Sequence, residues 1–200
     1  MKMDELKYTH AGLMLAVDSF FYDDFIYFWK HQEHKGKITK ACLSQWYPCS
    51  FEADGTVYNC AEQYMMAEKA RIFGDEATRQ EILLASDPAI IKKLGRKVCN
   101  FDADIWNEKS IEVVYNGNLH KFGQNQKLKD FLLSTGKSTL VEASPYDRIW
   151  GIGKSEEEKD INIPHFWKGE NRLGFILMEV RETLLSTVQK EYKKFGYSKT

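Results

Sequence analysis

The sequence predicts a mainly α fold: a single compact multihelical domain with a few short strands. Three observations predict it. Only four of the 200 residues are proline, so helix interiors are rarely interrupted. From Asn59 onward, apolar residues recur at helical spacing between recognisable start and stop signals. Finally, 43% of the chain is hydrophobic and no Pro/Gly/Ser-rich linker, internal repeat or low-complexity stretch divides it, which suits one core.

The elements follow in chain order. The longest clean apolar run near the start, "GLMLAV", falls far short of the roughly 20 residues a bilayer span needs. Asp4 and Glu5 precede it without a small-residue cleavage pattern, which argues against a secretory signal and for a cytoplasmic protein with no membrane attachment. Residues 20 to 29, "FFYDDFIYFW", suit a short strand or an aromatic ledge, and the polar 30 to 40 a solvated loop. Around Pro48 and the Asp54-Gly55 turn signal, two short extended pieces are expected. Helices follow at about 60–73, 75–85, 88–98, 103–117 and 125–134, with Asp87-Pro88 a start and Gly136 a stop. The last helix is the clearest: Leu173, Ile176, Leu177, Val180, Leu184 and Val188 keep one face over four turns, and Gly196 supplies a stop.

Charge and cysteine usage narrow the function classes. With 28 basic and 29 acidic residues, the net charge of −1 lacks the excess expected of a protein living on nucleic acid or an anionic membrane. A phosphorylated small molecule needs only a few local cations. Cys42, Cys49, Cys60 and Cys99 form no C-x-x-C pair and read as reduced, mostly packed thiols. His31-x-x-His34 has no cysteine at ligand spacing, and His10, His120 and His165 are scattered, so no metal site is expected. No G-x-S-x-G elbow exists for a serine hydrolase. Gly153-Lys154-Ser155 fails as a P-loop because Arg148 stands where the required glycine would be.

Two stretches carry candidate chemistry. In "TVYNCAEQYMMAEKAR", Asn59 as N-cap and Glu62 at the third helical position would make an N-x-x-E variant of the capping box. The same spacing puts Glu62 and Lys69 on one helix face with Met65 and Met66 between them. That pattern fits a half-buried ion pair equally with an acid/base and its cationic or nucleophilic partner. In "VEASPYDRIWGIG", Asp147, Arg148 and Trp150 crowd one loop; Asp147 suits either a turn bonding its own backbone or a carboxylate for sugar hydroxyls. Lys92, Lys93, Arg96 and Lys97 surround one helix end, and Lys121, Gln124 and Asn125 another, as either solvated faces or anion contacts. Trp106 suits the core or a ligand platform.

Taken together, "LSQWYPCSFEADGTVYNCAEQYMMAEKA", "LGRKV", Trp106, "KFGQNQKLKDFLLSTGKSTLVEASPYDRIWGIG" and "HFWKGENRLGFILMEVRETL" resemble the NADAR or YbiA-like family. The resemblance makes residues 1–200 one such domain, with a core of about 22–185 and peripheral segments at 1–20 and 188–200. Gln45 stands where the family's "SNFYP" block usually has Asn. The resemblance implies a cofactor-free N-glycosidase that cleaves the bond between C1 of a phosphorylated ribose and a base nitrogen. Its substrate is a small phosphorylated ribosylamino-pyrimidine intermediate of riboflavin synthesis or an ADP-ribosyl-guanine nucleotide in DNA, with no obligate protein partner. It places Glu62 beside the anomeric carbon and Asp147 as the second carboxylate. Trp106 and Trp150 would wall the pocket, Gln45 and Tyr64 would contact substrate, and Arg96, Arg148 and Lys121 would meet phosphate. Lys69 would either supply positive charge or attack C1 to form an imine. The competing expectation is a module that binds ADP-ribose or NAD without turnover.

Overall fold

In the computed structural model, which describes residues 5–18, 24–32 and 36–194, polar side chains set the starts of three helices. Asp75, Asp87 and Asp102 accept backbone N–H groups of the first turns of α3 (Glu76–Leu84), α4 (Pro88–Gly95) and α5 (Ala103–Gln124), satisfying donors that have no partner within the helix. With α1 (His10–Asp18), α2 (Ala61–Ile72), α6 (Gln126–Ser134) and α7 (Arg172–Lys194), these helices dominate the described residues, matching the expected fold class. Strands are short. β2 (Phe51–Ala53) and β3 (Thr56–Tyr58) form an antiparallel hairpin turned by Asp54 and Gly55, both at positive φ, as the Asp-Gly signal predicts.

The second strand pair is not visible locally. β1 (Phe25–Phe28) lies parallel to β4 (Thr139–Glu142), pairing Phe25 with Thr139 and Phe28 with Glu142, so α2 to α6 lie in the crossover between the two partners. Helix α7 packs on β4 and α5, while α2 is embraced by α3, α4 and α5. The apolar face of α7 becomes core: Leu173, Ile176, Leu177, Val180 and Leu184 are buried. The Gly196 stop lies outside the described residues, as do residues 20–23 of the aromatic stretch.

Helix α1 has no counterpart among the expected elements, and of the expected helices α5 differs most, running on to Gln124 rather than ending near 117. Gly117 is a contact residue there. A Cβ at Gly117 would stand 2.6 Å from Tyr64 Cδ1, so its absence lets α2 and α5 close together. Tyr64 itself lies among Phe51, Tyr58 and Gly117, away from the pocket described below. It is two residues from Glu62, about 200° around the helix, so it cannot share that residue's face.

Lys121 is a second correction. Its side chain is 0% exposed; Nζ donates to the Ser44 carbonyl at 2.7 Å and lies over the rings of Tyr47 and Phe122. Burial lowers its pKa by penalising the charged form. The amine anchors the turn before Tyr47 and lies outside the pocket described below.

Candidate active site

A single polar residue frees Glu62 from the helix end. Helix α2 starts one residue later than the box pattern requires, with Cys60 at the N-cap position and no side-chain cap. Glu62 is therefore the second helical residue, and Gln63 performs the reach-back: its Oε1 accepts the Asn59 N–H at 2.8 Å. Gln63 Nε2 also donates to the carbonyls of Ile82, Leu83 and Ala85 at 2.9–3.1 Å, closing the exit of α3. Gln63→Ala would orphan these groups in a buried setting, at an expected cost of about 2–3 kcal/mol measured by urea denaturation.

With its neighbour holding the helix end, the Glu62 side chain turns into a pocket of about 660 Å³, within the usual range for small-molecule sites. Seven parts of the chain build the walls. Helix α2 gives Glu62, Met65, Met66 and Lys69; the turn before β2 gives Ser44, Gln45 and Trp46; the α4 C-terminus gives Lys92, Gly95 and Arg96. The segment after β1 contributes Trp29 to Gln32, and the β4 end and its loop contribute Glu142, Ser144, Tyr146, Asp147, Ile149 and Trp150. Trp106 and Leu173 complete the lining.

Glu62 is 5% exposed. Desolvation pushes its carboxyl up to about 7, opposed by Lys92, by a hydrogen bond from Trp46 and by Arg96, and reinforced by Asp147. Its backbone N–H donates to the Gln45 carbonyl at 2.9 Å, locking the first turn of α2 to the Trp46 turn. Gln45 lines the pocket, but its amide is committed inward: Oε1 accepts from Asn118 Nδ2 at 2.9 Å.

Asp147 bonds its own loop and also lines the pocket. Oδ1 accepts the backbone N–H groups of Ile149 and Trp150 at 3.0 and 2.8 Å, while Oδ2 stands 3.9 Å from Lys92 Nζ. One oxygen shapes the loop and the other keeps a charge in the pocket. Arg148 points elsewhere: it is exposed and absent from the lining, and its Cγ lies toward Gly153. The loop's sharp turn separates neighbours in sequence and leaves Arg148 outside this pocket.

Lys69 shares the pocket with Glu62 but forms no ion pair with a carboxylate among the described residues. Its Nζ donates to the Gly95 carbonyl at 2.8 Å and lies over Phe101 at 4.1 Å and Trp106 at 5.7 Å. Gly95 permits this: a Cβ there would fall 2.1 Å from Met66 Sδ, so only glycine lets α4 approach α2. Burial lowers the Lys69 pKa.

The structure thus gathers Glu62, Asp147, Lys69, Gln45, Arg96, Trp106 and Trp150 around one cavity and leaves Tyr64, Lys121 and Arg148 outside it. It adds Trp46, Lys92 and Glu142, which were not singled out as site residues from sequence. Lys92 had a signal, being one of the cations at the end of α4. Glu142 had none beyond lying in the "LVEASPYDRIWGIG" stretch. Of the His31/His34 pair, His31 lines the pocket beside Trp46 and His34 lies outside the described residues. Among the described residues no group of three or more His, Cys, Asp or Glu side chains is placed to hold a metal ion, and no helix is long and apolar enough to cross a membrane.

The fold and pocket define a class: a mainly α domain whose buried carboxylates face a cavity rimmed by indoles and cations. The chain belongs to the NADAR domain family, whose model matches residues 27–185. It is 42% identical over 166 residues to N-glycosidase R617 of Acanthamoeba polyphaga mimivirus, covering 80% of this chain and 96% of that one. It is 32% identical over 179 residues to riboflavin biosynthesis protein VVA0006 of Vibrio vulnificus, covering 90% of this chain but 44% of that longer protein. The NMR structure of Escherichia coli YbiA superposes with a TM-score of 0.68 at 28% identity, covering 88% of this chain and 90% of YbiA.

Proposed function

We propose that this protein is an N-glycosidase that hydrolyses the bond between C1 of a phosphorylated ribose and a base nitrogen. The observation that carries the reading is Glu62: a carboxyl buried at the start of α2, released from capping by Gln63, and turned into a cavity shared with Asp147. The names of the relatives R617 and VVA0006 point the same way.

Cleavage of such a bond passes through an oxocarbenium-like state, with positive charge growing on the sugar as the base departs. Ionised Glu62 stabilises that charge and accepts a proton from the attacking water. Asp147, fixed by two backbone N–H groups, holds ribose hydroxyls. Trp106 and Trp150 flank the sugar and base, and Lys92 and Arg96 meet phosphate at the α4 end. The substrate carries either the ribosylamino-pyrimidine phosphate of riboflavin synthesis or ADP-ribose on guanine in DNA. Offering both side by side and following base release tests the reading and separates the two. Release from one alone names the substrate; tight ADP-ribose binding with no release from either overturns turnover in favour of a binding module.

The state of Lys69 favours a covalent variant. An amine partly stripped of water, with a lowered pKa and no carboxylate partner, is available as a nucleophile. After the base leaves, its nitrogen bonds C1 and sheds a proton, the ribose ring opens to an imine, and water releases the sugar. Borohydride added during turnover is expected to leave a sugar adduct on Lys69. Turnover without an adduct assigns Lys69 to electrostatics.

A further inference from the structure

The pocket holds a third carboxyl with a different setting. Glu142 ends β4, and its backbone is fastened on both sides. Its N–H donates to Asn171 Oδ1 at 2.9 Å, and its carbonyl accepts the Ile152 N–H at 3.0 Å. Gly151 packs directly on it, for a Cβ there would lie 2.8 Å from the Glu142 carbonyl oxygen. The side chain therefore leaves a rigid strand end and lines the cavity. Its Oε2 is buried with no hydrogen-bond partner.

A buried carboxylate oxygen without a donor is costly, whereas a carboxylic acid is much less so and carries a proton to give. The charges facing it reinforce this. Asp147 from the loop and Glu62 from α2 both oppose a negative charge on Glu142, and Lys92 from α4 only partly compensates. Desolvation, the largest cause, and these neighbours together push its carboxyl up to about 8. Glu62 differs in its neighbours, since Lys92, Trp46 and Arg96 all favour its ionised form, whereas Lys92 alone does so for Glu142. One pocket thus holds a carboxyl furnished to be ionised and another furnished to stay protonated, the division of roles that acid–base hydrolysis of a glycosidic bond requires.

We propose that Glu142 is the proton donor to the departing base, an inference that rests on the N-glycosidase reading. As the C1–N bond breaks, its electron pair leaves on nitrogen and takes the Glu142 proton. The oxygen of water bonds to C1 and a water proton passes to Glu62. The products are a ribose hydroxyl and an N–H base, and the enzyme is left with Glu142 ionised and Glu62 protonated. Proton exchange with solvent restores the starting state. If C1 is instead taken first by Lys69, the donation to nitrogen is unchanged.

The test compares leaving groups. Glu142→Gln keeps shape and size but has no acidic proton, so release of a purine or pyrimidine amine should fall at least ~100-fold in kcat. Release of 4-nitrophenolate from a 4-nitrophenyl ribofuranoside 5-phosphate needs no proton, and its rate should change less than about fivefold under the same general-acid logic. A merely structural residue would depress both rates together, so equal losses, or no loss on either, overturn the inference while leaving the N-glycosidase reading intact. A parent protein that releases neither leaving group overturns both. Melting curves of the variant confirm that folded protein is being compared.

Discussion

Replacing Glu62 with Gln is expected to lower turnover at least ~100-fold, the usual scale for an acid–base group, without weakening the fold. The two halves of this result come from separate residues. The helix start is held by Gln63, so Glu62 contributes no cap that Gln would have to reproduce. Its carboxyl stands at about 7 in the folded chain against an ordinary 4.5. The folded state therefore holds the proton more tightly than the unfolded one. That contribution to stability is fully present below the ordinary value and is lost as pH rises through about 7. At pH 8 the buried charge costs at most about 3 kcal/mol, converting the shift at about 1.4 kcal/mol per pKa unit. Glu62→Gln removes that cost, since the amide carries no charge to desolvate. Melting curves should coincide at pH 5 and show the variant melting higher at pH 8, while base release collapses at both. Normal turnover would return Glu62 to a structural role. Loss of stability at pH 8 would mean that the carboxylate is held more favourably than its surroundings imply.

How much of this site could be read in advance depends on whether its parts are local. Helix starts at Asp87-Pro88, the Asp54-Gly55 hairpin and the apolar face of α7 are local patterns, and the structure reproduces them. The shared face of Glu62, Met65, Met66 and Lys69 is also local, because helical periodicity alone projects them together. The same periodicity, applied to Tyr64, would have excluded it from that face. Glu142 was not legible. Its direction follows from the parallel register of β4 on β1 and from Asn171 gripping its backbone, contacts between segments far apart in the chain. Lys121 misled for a related reason. A lysine near a helix end ordinarily faces solvent, and only the carbonyl of Ser44, delivered by a distant turn, makes its burial tolerable. Arg148 stands next to Asp147 in sequence, yet in this tight loop the two face different ways.

Gly174→Ala is expected to destabilise the protein by about 3 kcal/mol or more, at the upper end for overpacking, and to reach the active site through β4. Helix α7 crosses β4 at this glycine. A Cβ would stand 2.0 Å from the Leu140 carbonyl oxygen and 2.6 Å from both amide atoms of Asn171. Neither neighbour can yield cheaply. The Leu140 carbonyl accepts from Asn171 Nδ2 at 2.9 Å, and Asn171, itself 0% exposed with φ at 55°, also accepts the Glu142 N–H. Alanine's better helix propensity returns at most ~1 kcal/mol, too little to offset a backbone collision. The helix must retreat, opening its contact with β4 and loosening the end that carries Glu142. Gly123→Ala in α5 is the matched comparison, because the nearest atom to its Cβ is Leu184 Cδ2 at 3.9 Å. It should gain up to ~1 kcal/mol from the same propensity. Urea denaturation of the two variants separates collision from propensity. The folded fraction of Gly174→Ala should also lose base release, since the distance from α7 to β4 sets where the Glu142 carboxyl stands. A Gly174→Ala protein as stable and active as its parent would show that the helix and strand are not pinned here, and that Glu142 is positioned by some other contact.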